Sequence, residues 1–180
     1  MRIHVAELRR HPGQSESFSF QQELAPLTLA GETITFIEPV RVSGKVTSGR
    51  AVLSVVGRVE ARVRRECSRC LAPFAEKVVA PLEEEFVPSS QAALLDEKAK
   101  EQARLFAGEE IDLKEAVTEA LVLALPMKAL CRPDCPGLCP YCGRELKEGP
   151  CACAVEPKDE RLAALKDLWA ARPEARQEED

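Results

Sequence analysis

Eight cysteines, gathered in two stretches of the chain, are the residues best suited to chemistry. The second stretch contains Cys139-Pro-Tyr-Cys142-Gly143, which has the form of a zinc knuckle. Two thiolates three positions apart in a tight turn can bind one ion, and Gly143 supplies the flexible position that such a turn needs. A reducing compartment favours metal binding over disulfides for such a set. The spacing therefore predicts bound zinc between residues 131 and 153.

A tetrahedral site built on Cys139 and Cys142 needs two further ligands. Cys151 and Cys153 are the candidates, although one intervening residue is a tight spacing for two ligands of the same ion. The remaining cysteines would form a second site that ties the C-terminal segment to the first stretch: Cys67, Cys70, Cys131 and Cys135. The spacing does not decide between one metal site and two.

The pair at positions 67 and 70 has two other interpretations. It could be a reduced pair that merely makes a turn, or a thioredoxin-like dithiol. A redox dithiol should open a helix after a strand, where the helix dipole lowers the thiol pKa. Here a basic strand leads into the pair and another strand leads out, which disfavours the redox interpretation.

The predicted metal is structural. Four thiolates leave no open coordination position, so the ion has no place for a substrate. Residues 131–153 carry few apolar side chains, chiefly Leu138, Tyr141 and Leu146, and these are too few to fold alone. Structural zinc contributes on the order of 10–16 kcal/mol in small peptides, which is enough to order such a segment.

Catalytic motifs are not readable in the chain. The two histidines, His4 and His11, lie near the start of the sequence. There is no glycine-rich phosphate loop, nucleophile elbow or Ser/His/Asp set. We therefore expect a protein that is not an enzyme and has no small-molecule substrate.

The elements that position the cysteines are predicted to be mainly β-strands, in residues 1–88. Apolar and charged side chains alternate over residues 51–64, as in a half-buried strand, and Gly57 is interpreted as a bulge. Alternate residues from Phe74 to Phe86 indicate a second strand, so Cys67 and Cys70 lie in a hairpin turn. Residues 3–8 and 33–42 are weaker strand candidates.

The rest of the chain is predicted to be a connector, a helix and a cysteine-rich end. Residues 88–110 form the connector; Asp112 begins a helix over 112–125 as N-cap, with Glu115 completing a capping box. A short helix follows from Asp159 to Trp169, and residues 173–180 form an acidic tail. The fold class is thus α+β, an antiparallel sheet or partly open barrel with a covering helix. The domains are 1–130 and a zinc-knuckle ribbon with short helix and tail, 131–180.

Charge is uneven along the chain, although the net charge is only −5. Residues 41–70 hold eight basic side chains and two acidic ones, and residues 71–127 hold five and twelve. The basic residues around the first strand are the candidate contacts to RNA phosphates: Arg58, Arg62, Arg64, Arg65 and Arg69. With 4% aromatic residues and none in this stretch, contacts would be to the RNA backbone. The other interpretation is a solvated strand face that blocks edge pairing.

These motifs resemble those of the YceD-like family, the large ribosomal RNA subunit accumulation proteins, in its cysteine-rich form. The similar segments are the strand ending in Cys67-Ser-Arg-Cys70-Leu, the run Leu123-Ala-Leu-Pro126 and the knuckle. The resemblance implies a role in ribosome biogenesis, through large-subunit ribosomal RNA or a pre-ribosomal particle. It carries over no catalytic residue.

Besides the disfavoured dithiol oxidoreductase, two functions of different kinds are compatible with the sequence. The first is a protein that binds this RNA or the particle. The alternative is a zinc-stabilised adaptor that contacts a ribosomal protein or a maturation factor. The first ten residues carry no long apolar run typical of a signal peptide, and no stretch is long enough to span a membrane. We expect a soluble bacterial protein of the cytoplasm with no membrane partner.

Overall fold

The computed structural model describes residues 1–29, 31–94 and 103–153, with the side chains of residues 93 and 94 left undescribed. The chain divides into two units, Met1–Gly137 and Leu138–Asp180. The segment 131–137, predicted to belong to the second domain, is part of the first unit. The predicted helix at 159–169 and the acidic tail lie outside the described residues.

The first unit is built mainly from strands. Strands, helices and short 3-10 turns follow one another in this order: β1 Arg2–His4, α1 Ala6–Arg10, β2 Ser15–Gln22, β3 Leu27–Leu29, β4 Glu32–Phe36, β5 Val40–Ser48, β6 Leu53–Glu66, β7 Pro73–Pro88, a 3-10 turn Ser89–Leu94, β8 Arg104–Phe106, β9 Glu110–Asp112 and α2 Lys114–Ala124. The second unit has a 3-10 turn at Leu146–Glu148.

One open, mostly antiparallel sheet of seven strands contains β2 to β8. The long strand β6 lies at its centre: one edge pairs with β5 and then β4, and the other edge pairs with β7 along its whole length. The short strand β8 adds to β7 in parallel. Strands β1 and β9 form a separate two-stranded sheet. The prediction of an antiparallel β-rich fold is confirmed.

The core lies on one face of this sheet. Alternation in β6 buries Leu53, Val55, Val59, Ala61 and Val63, as the sequence predicts, and these side chains join one hydrophobic cluster with those of β5 and β7. Burial of apolar surface at roughly 25 cal/mol per Å² makes this cluster the main source of stability. The opposite face of β6 carries charged side chains and is exposed.

Helix α2 contributes to the same cluster. Its buried residues Ala116, Val117 and Leu121 follow helical spacing. The helix begins at Lys114, with Leu113 as N-cap, so Asp112 is not the N-cap as predicted. The Asp112 carboxylate instead accepts a hydrogen bond from the Lys114 N–H at 2.9 Å from its place at the end of β9. The predicted reciprocal partner, Glu115, pairs with Arg104 at 3.3 Å.

Two predicted strands and the predicted connector have different bounds in the structure. Residues 33–42 are divided between β4 and β5, because Pro39 lacks the N–H that a continuous central strand needs. Residues 3–8 are divided between β1 and α1. The predicted connector, 88–110, contains β8 and the first residue of β9, and its residues 95–102 lie outside the described residues.

Gly57 is not a bulge. The register runs through it without a break, with Gly44 opposite on β5 and Leu82 opposite on β7. A Cβ at Gly57 would lie 2.4 Å from the Ser43 carbonyl oxygen, and one at Gly44 would lie 2.9 Å from the Phe18 ring. The two glycines therefore allow the strands and the Phe18 ring to approach closely.

None of the helices in the described residues is long and apolar enough to cross a bilayer.

Candidate metal centres and basic face

Four cysteines meet at the end of the β6–β7 hairpin, and we call them the hairpin cluster: Cys67, Cys70, Cys131 and Cys135. Their Sγ atoms all lie within 4.8 Å of one another. The Cys67–Cys135 distance is 3.7 Å and the Cys70–Cys131 distance is 3.8 Å. Since a disulfide needs about 2.05 Å, these are not bonded pairs, and all eight cysteines are free.

The hairpin turn aims its two cysteines by a tight backbone bend. The Leu71 N–H donates to the Cys67 carbonyl at 2.8 Å, and the Cys67 N–H donates to the Ala72 carbonyl at 3.0 Å. Leu71 has φ of 59°, a left-handed conformation that is uncommon for residues other than glycine. Cys67 and Cys70 are both buried by this bend.

The other half of the cluster is held against the turn by hydrogen bonds to residues 129–137. The Ser68 N–H donates to the Ala129 carbonyl at 2.8 Å, and the Arg69 guanidinium donates to the Cys135 carbonyl at 2.8 Å. Gly137, with φ of 80°, lies so close that a Cβ there would be 3.1 Å from the Arg69 carbonyl oxygen. Arg69 thus positions the cysteine segment, which limits its freedom to contact a phosphate.

The second unit holds the knuckle cluster: Cys139, Cys142, Cys151 and Cys153. Here too the four Sγ atoms lie within 4.8 Å of one another. The Gly143 N–H donates to the Cys139 carbonyl at 2.9 Å, and Gly143 has φ of 72°, so glycine suits the turn. The Tyr141 N–H points at the Cys139 sulfur, 3.4 Å away. Amide hydrogens directed at sulfur are typical of thiolates that bind metal.

Each cluster contains one acidic thiol. Burial opposes ionisation of Cys67, but amide hydrogen bonds from residues 131, 70 and 69 outweigh it and lower its pKa to about 6. Amide hydrogens of residues 142 and 141 likewise lower the pKa of Cys139 to about 6. Burial and neighbouring sulfurs raise the pKa of Cys131 to about 12, and the Cys142 sulfur, followed by burial, raises that of Cys153 to about 12. Without a cation, four thiols this close cannot all ionise.

Both clusters fit a tetrahedral divalent ion by donor type and spacing. With metal–sulfur bonds of about 2.3 Å, the edges of a regular tetrahedron of sulfurs are about 3.8 Å long. The Cys67–Cys135 and Cys70–Cys131 Sγ–Sγ distances match this edge, at 3.7 and 3.8 Å. The Cys139–Cys151 distance is 3.2 Å, shorter than this edge. These cysteines could therefore hold two ions, one in each unit.

Arg65 does not belong to the exposed face on which the sequence analysis placed it. Its position in β6 has the parity of the core, and its side chain is 4% exposed. The guanidinium makes two hydrogen bonds to Glu32, at 2.8 and 3.0 Å, and one to Glu76 at 3.1 Å. A further bond reaches the Pro126 carbonyl at 3.3 Å. Arg65 is thus a buried, paired residue that cannot reach a phosphate.

The outer face of the sheet is basic over three strands, and we call it the basic face. Arg58, Arg62 and Arg64 point outward from β6, as predicted. The register adds three exposed residues that sequence reasoning missed: Arg41 opposite Glu60, Lys45 opposite Val56, and Lys77 opposite Arg62. Their alternation within β5 and β7 was the available signal, but only the pairing register places them beside the arginines of β6.

Acidic partners reduce the free charge of the basic face. Glu60 lies at its centre and pairs with Arg58 at 2.7 Å and Lys77 at 2.9 Å. The bond from Lys77, followed by the charge of Arg58, lowers the pKa of Glu60. Arg62 pairs with Glu38 at 3.1 Å. Among the described residues, Arg64 makes no ion pair.

Comparison with known proteins identifies the family to which the chain belongs. A family model described as "Large ribosomal RNA subunit accumulation protein YceD" matches residues 55–169. The chain belongs to this family. The matched segment includes β6 from Val55 onward, β7, α2 and both cysteine clusters, and the resemblance drawn from the sequence is confirmed.

Relatives extend the likeness to most of the chain. An uncharacterised protein of Mycobacterium tuberculosis is 34% identical over 172 residues, which cover 93% of this chain and 81% of the relative. A protein of Zea mays with the name "Large ribosomal RNA subunit accumulation protein YCED homolog 1, chloroplastic" is 27% identical over 191 residues, covering 87% of this chain and 64% of the relative. No solved structure matches significantly. Family and relative together support a role connected with the ribosome.

Proposed function

We propose that this protein supports accumulation of large-subunit ribosomal RNA by binding that RNA or a pre-ribosomal particle, without catalysing a reaction. The family match and the name of the maize relative carry the ribosomal part of the proposal. The basic face, with six basic side chains on three adjacent strands, supports direct contact with phosphates. The proposed location is the cytoplasm, because its reducing conditions keep such thiols free to bind metal.

Both cysteine clusters are proposed to hold structural zinc. Zinc binds four thiolates tetrahedrally and then has no open position, so it would supply stability and no reaction step. In the first unit, zinc would fasten residues 129–137 to the hairpin turn, where Ser68 and Arg69 already bind that segment. In the second unit it would order the knuckle, which has little apolar core. Helix α2, whose buried side chains belong to the core cluster of the sheet, would act in this proposal as a covering scaffold.

The basic face is tested by removing charge from it. The triple variant Arg58→Gln, Arg62→Gln, Arg64→Gln should bind large-subunit ribosomal RNA more weakly, and with similar loss for unrelated RNA sequences. If each arginine contacts one phosphate, the slope of log affinity against log salt should fall by about 2–3 units. Filter binding or fluorescence anisotropy at three or more salt concentrations measures both quantities.

A matched control removes the same charge elsewhere. Lys114→Gln, Lys128→Gln and Arg144→Gln are exposed positions outside the basic face, so this variant should keep most of the wild-type salt slope. Equal affinities and salt slopes for wild type and both variants would show that the basic face does not bind RNA and is only a solvated strand face that blocks edge pairing. Equal losses in both variants would show an effect of net charge without a defined surface.

A protein adaptor is the second candidate, and exposed apolar side chains favour it. Leu123 is 85% exposed near the end of α2, and Met127, just beyond, is fully exposed. Exposed apolar side chains can form part of a surface that contacts another protein, although single ones are common on protein surfaces. Purification of the tagged protein from cells with and without nuclease separates the two functions. Association with ribosomal proteins that survives nuclease, and is lost in Leu123→Ser, would support the adaptor over RNA binding.

A further inference from the structure

Strand β2, Ser15–Gln22, forms one edge of the seven-stranded sheet. It pairs along its whole length with β5, and no other described strand pairs with it. An unpaired edge offers a row of backbone N–H and C=O groups to another strand, and proteins usually protect it with proline, lysine, a bulge or a very short strand. Strand β2 has eight residues, contains no proline or lysine, and carries a single charge, at Glu16. It is therefore an unprotected edge.

The other edges of the sheet are protected in the described residues. Strands β3 and β8 have only three residues each. Strand β7 leaves its outer edge unpaired from Pro73 to Glu85, because β8 pairs only with the residues that follow. That stretch contains Pro81 and five charged side chains, which are devices that prevent pairing with another strand. A partner strand would therefore add to the sheet at β2.

The backbone groups that point outward belong to alternate residues of β2. The Ser48 N–H of β5 donates to the carbonyl of Gln14, just before β2, at 2.8 Å. Because the direction alternates along an antiparallel ladder, Glu16, Phe18 and Phe20 direct their N–H and C=O groups at β5. Four residues direct theirs away from the sheet: Ser15, Ser17, Ser19 and Gln21. The side chains of these four residues lie on the outer face, and none is charged.

Two aromatic side chains of β2 remain partly exposed at this edge. Phe18 and Phe20 point to the core face and pack against the hydrophobic cluster without being fully buried. Their ring centres lie 5.7 Å apart, and the Phe18 ring would be 2.9 Å from a Cβ at Gly44. Burial of aromatic side chains is a large favourable contribution to association. A further strand beside β2 would cover these rings and also bond to the outward backbone groups.

We propose that β2 pairs with β2 of a second copy of this chain, antiparallel and centred on Ser19. Ser19 then lies opposite the partner's Ser19, and Phe18 lies opposite the partner's Phe20. Glu16 lies opposite the partner's Gln22, whose amide group can donate to the carboxylate. No like charges face each other, and the four phenylalanine rings form one apolar row. In this register the residues with outward backbone groups face one another, as an antiparallel ladder requires.

A second copy fits this edge better than a charged segment does. The outward row of β2 is uncharged, so a charged strand would find no opposite charge there, whereas another β2 strand is equally uncharged. The side chains also select the register. A shift of the pairing by two residues in either direction would place a phenylalanine opposite Glu16 or Gln22 and would separate the aromatic pairs.

The proposed pairing also has a geometric consequence for the basic face. The two-fold axis is perpendicular to the sheet, so the basic faces of both copies lie on the same side of one continuous sheet. A single pair of strands of this length buries less than the roughly 1,200 Å² of a stable complex, so we expect a dimer that dissociates in the micromolar range. The pairing does not rest on RNA binding or on zinc.

Sedimentation equilibrium of the full zinc-supplemented chain, without RNA, tests the proposal from micromolar to submillimolar concentration. Wild type should show a monomer–dimer equilibrium. Ser19→Lys and Ser19→Asp should each weaken the dimer at least about tenfold, because like charges then face each other with Cβ atoms about 5 Å apart. An equimolar mixture of these two variants should restore the dimer, since opposite charges then meet.

Ser43→Lys is the matched control. Ser43 lies opposite Ser19 on β5, exposed on the same face but one strand in from the edge. In the dimer the two introduced charges would be three strand spacings apart, about 14 Å, which exceeds the screening length of about 8 Å at physiological salt. This variant should dimerise like wild type. The triple variant Arg58→Gln, Arg62→Gln, Arg64→Gln should do the same, which separates dimerisation from RNA binding.

Amide hydrogen exchange measured by nuclear magnetic resonance locates the interface in the wild-type chain. The N–H groups of Ser17, Ser19 and Gln21 should exchange more slowly as the protein concentration rises. Those of Phe18 and Phe20 point at β5 and should be protected at every concentration. This measurement needs no variant, so it tests the proposal even where a substitution disturbs folding.

Three results would overturn the proposal. The first is a wild type that stays monomeric over the whole concentration range. The second is a dimer that Ser19→Lys leaves intact, or that leaves the exchange of the Ser17, Ser19 and Gln21 amides unchanged, because such a dimer uses another surface. The third is a mixture of Ser19→Lys and Ser19→Asp that stays monomeric although each variant keeps the wild-type circular dichroism spectrum. None of these results would bear on RNA binding by the basic face.

Discussion

Replacement of Arg65 by methionine should destabilise the protein by about 2–3 kcal/mol. Removal of one partner from a buried ion pair generally destabilises by about 3–5 kcal/mol, because the remaining charge is buried and unpaired. Here two carboxylates are left, Glu32 and Glu76, and their side chains are 28% and 23% exposed. Water can reach them in part, which lowers the expected loss. For a chain of this size the loss corresponds to a fall in Tm of about 5–10 °C.

The neighbouring residue supplies a matched control. Arg64 carries the same side chain, lies next in the chain, and points outward from the same strand. Arg64→Met should change stability by no more than about 0.5 kcal/mol. Urea unfolding followed by circular dichroism, with zinc at a fixed excess, measures both variants. A triple variant, Arg65→Met with Glu32→Gln and Glu76→Gln, should regain much of the loss because no charge is left unpaired.

Acid gives an independent readout of the same pair. The hydrogen bond from Arg65 lowers the pKa of Glu32 below its ordinary 4.5. A carboxyl whose pKa is lower in the folded chain stabilises the fold at any pH above its unfolded-state pKa. This stabilisation is lost as the pH falls through the pKa of the folded state. The difference in unfolding free energy between wild type and Arg65→Met should therefore be complete at pH 6 and should decrease between about pH 5 and 3. Equal losses in Arg64→Met and Arg65→Met, or a gap that does not change with pH, would refute the reasoning.

Two further predictions concern the metal centres and the start of α2. Wild type should carry two zinc ions per chain by elemental analysis, and Cys142→Ser and Cys67→Ser should each lose one; a zinc-free wild type would contradict both sites. Nuclear magnetic resonance should show Cys142→Ser disordering the knuckle while the sheet signals persist. Asp112→Ala should destabilise by about 1 kcal/mol through loss of the bond to the Lys114 N–H, and an unchanged urea midpoint would show that this bond contributes nothing.

Periodicity made the centre of the sheet predictable. Leu53 to Val63 and Val78 to Phe86 alternate so regularly that strand type, hairpin and buried face all follow from the sequence. The grouping of the cysteines was a weaker inference, because a hairpin turn says only that Cys67 and Cys70 point the same way. Hydrogen bonds from Ser68 and Arg69 hold residues 129–137 against that turn. These hydrogen bonds cannot be predicted from a local sequence pattern.

The errors have physical causes that can be named. Successive residues of a strand point to opposite faces, so Arg64 and Arg65 could not both belong to the basic face. Three-residue strands such as β8 and β9 have too few residues to show a period. The Asp112 carboxylate does bond to the start of the helix, but from a strand, because local spacing does not reveal that β9 pairs with β1.

A metal ion bound at the hairpin cluster would also impose an order on folding. Its two halves are separated by more than 60 residues, so an ion bound there would close a loop that contains β7, β8, β9 and α2. Closing a loop of this length in the unfolded chain removes entropy equivalent to about 4 kcal/mol, as a disulfide of the same span would. During synthesis, Cys67 and Cys70 leave the ribosome long before Cys131. The emerging hairpin can hold an ion by at most two sulfurs until the last strands and the helix have been made. Coordination by all four cysteines would therefore be completed only after residues 71–130 have been synthesised.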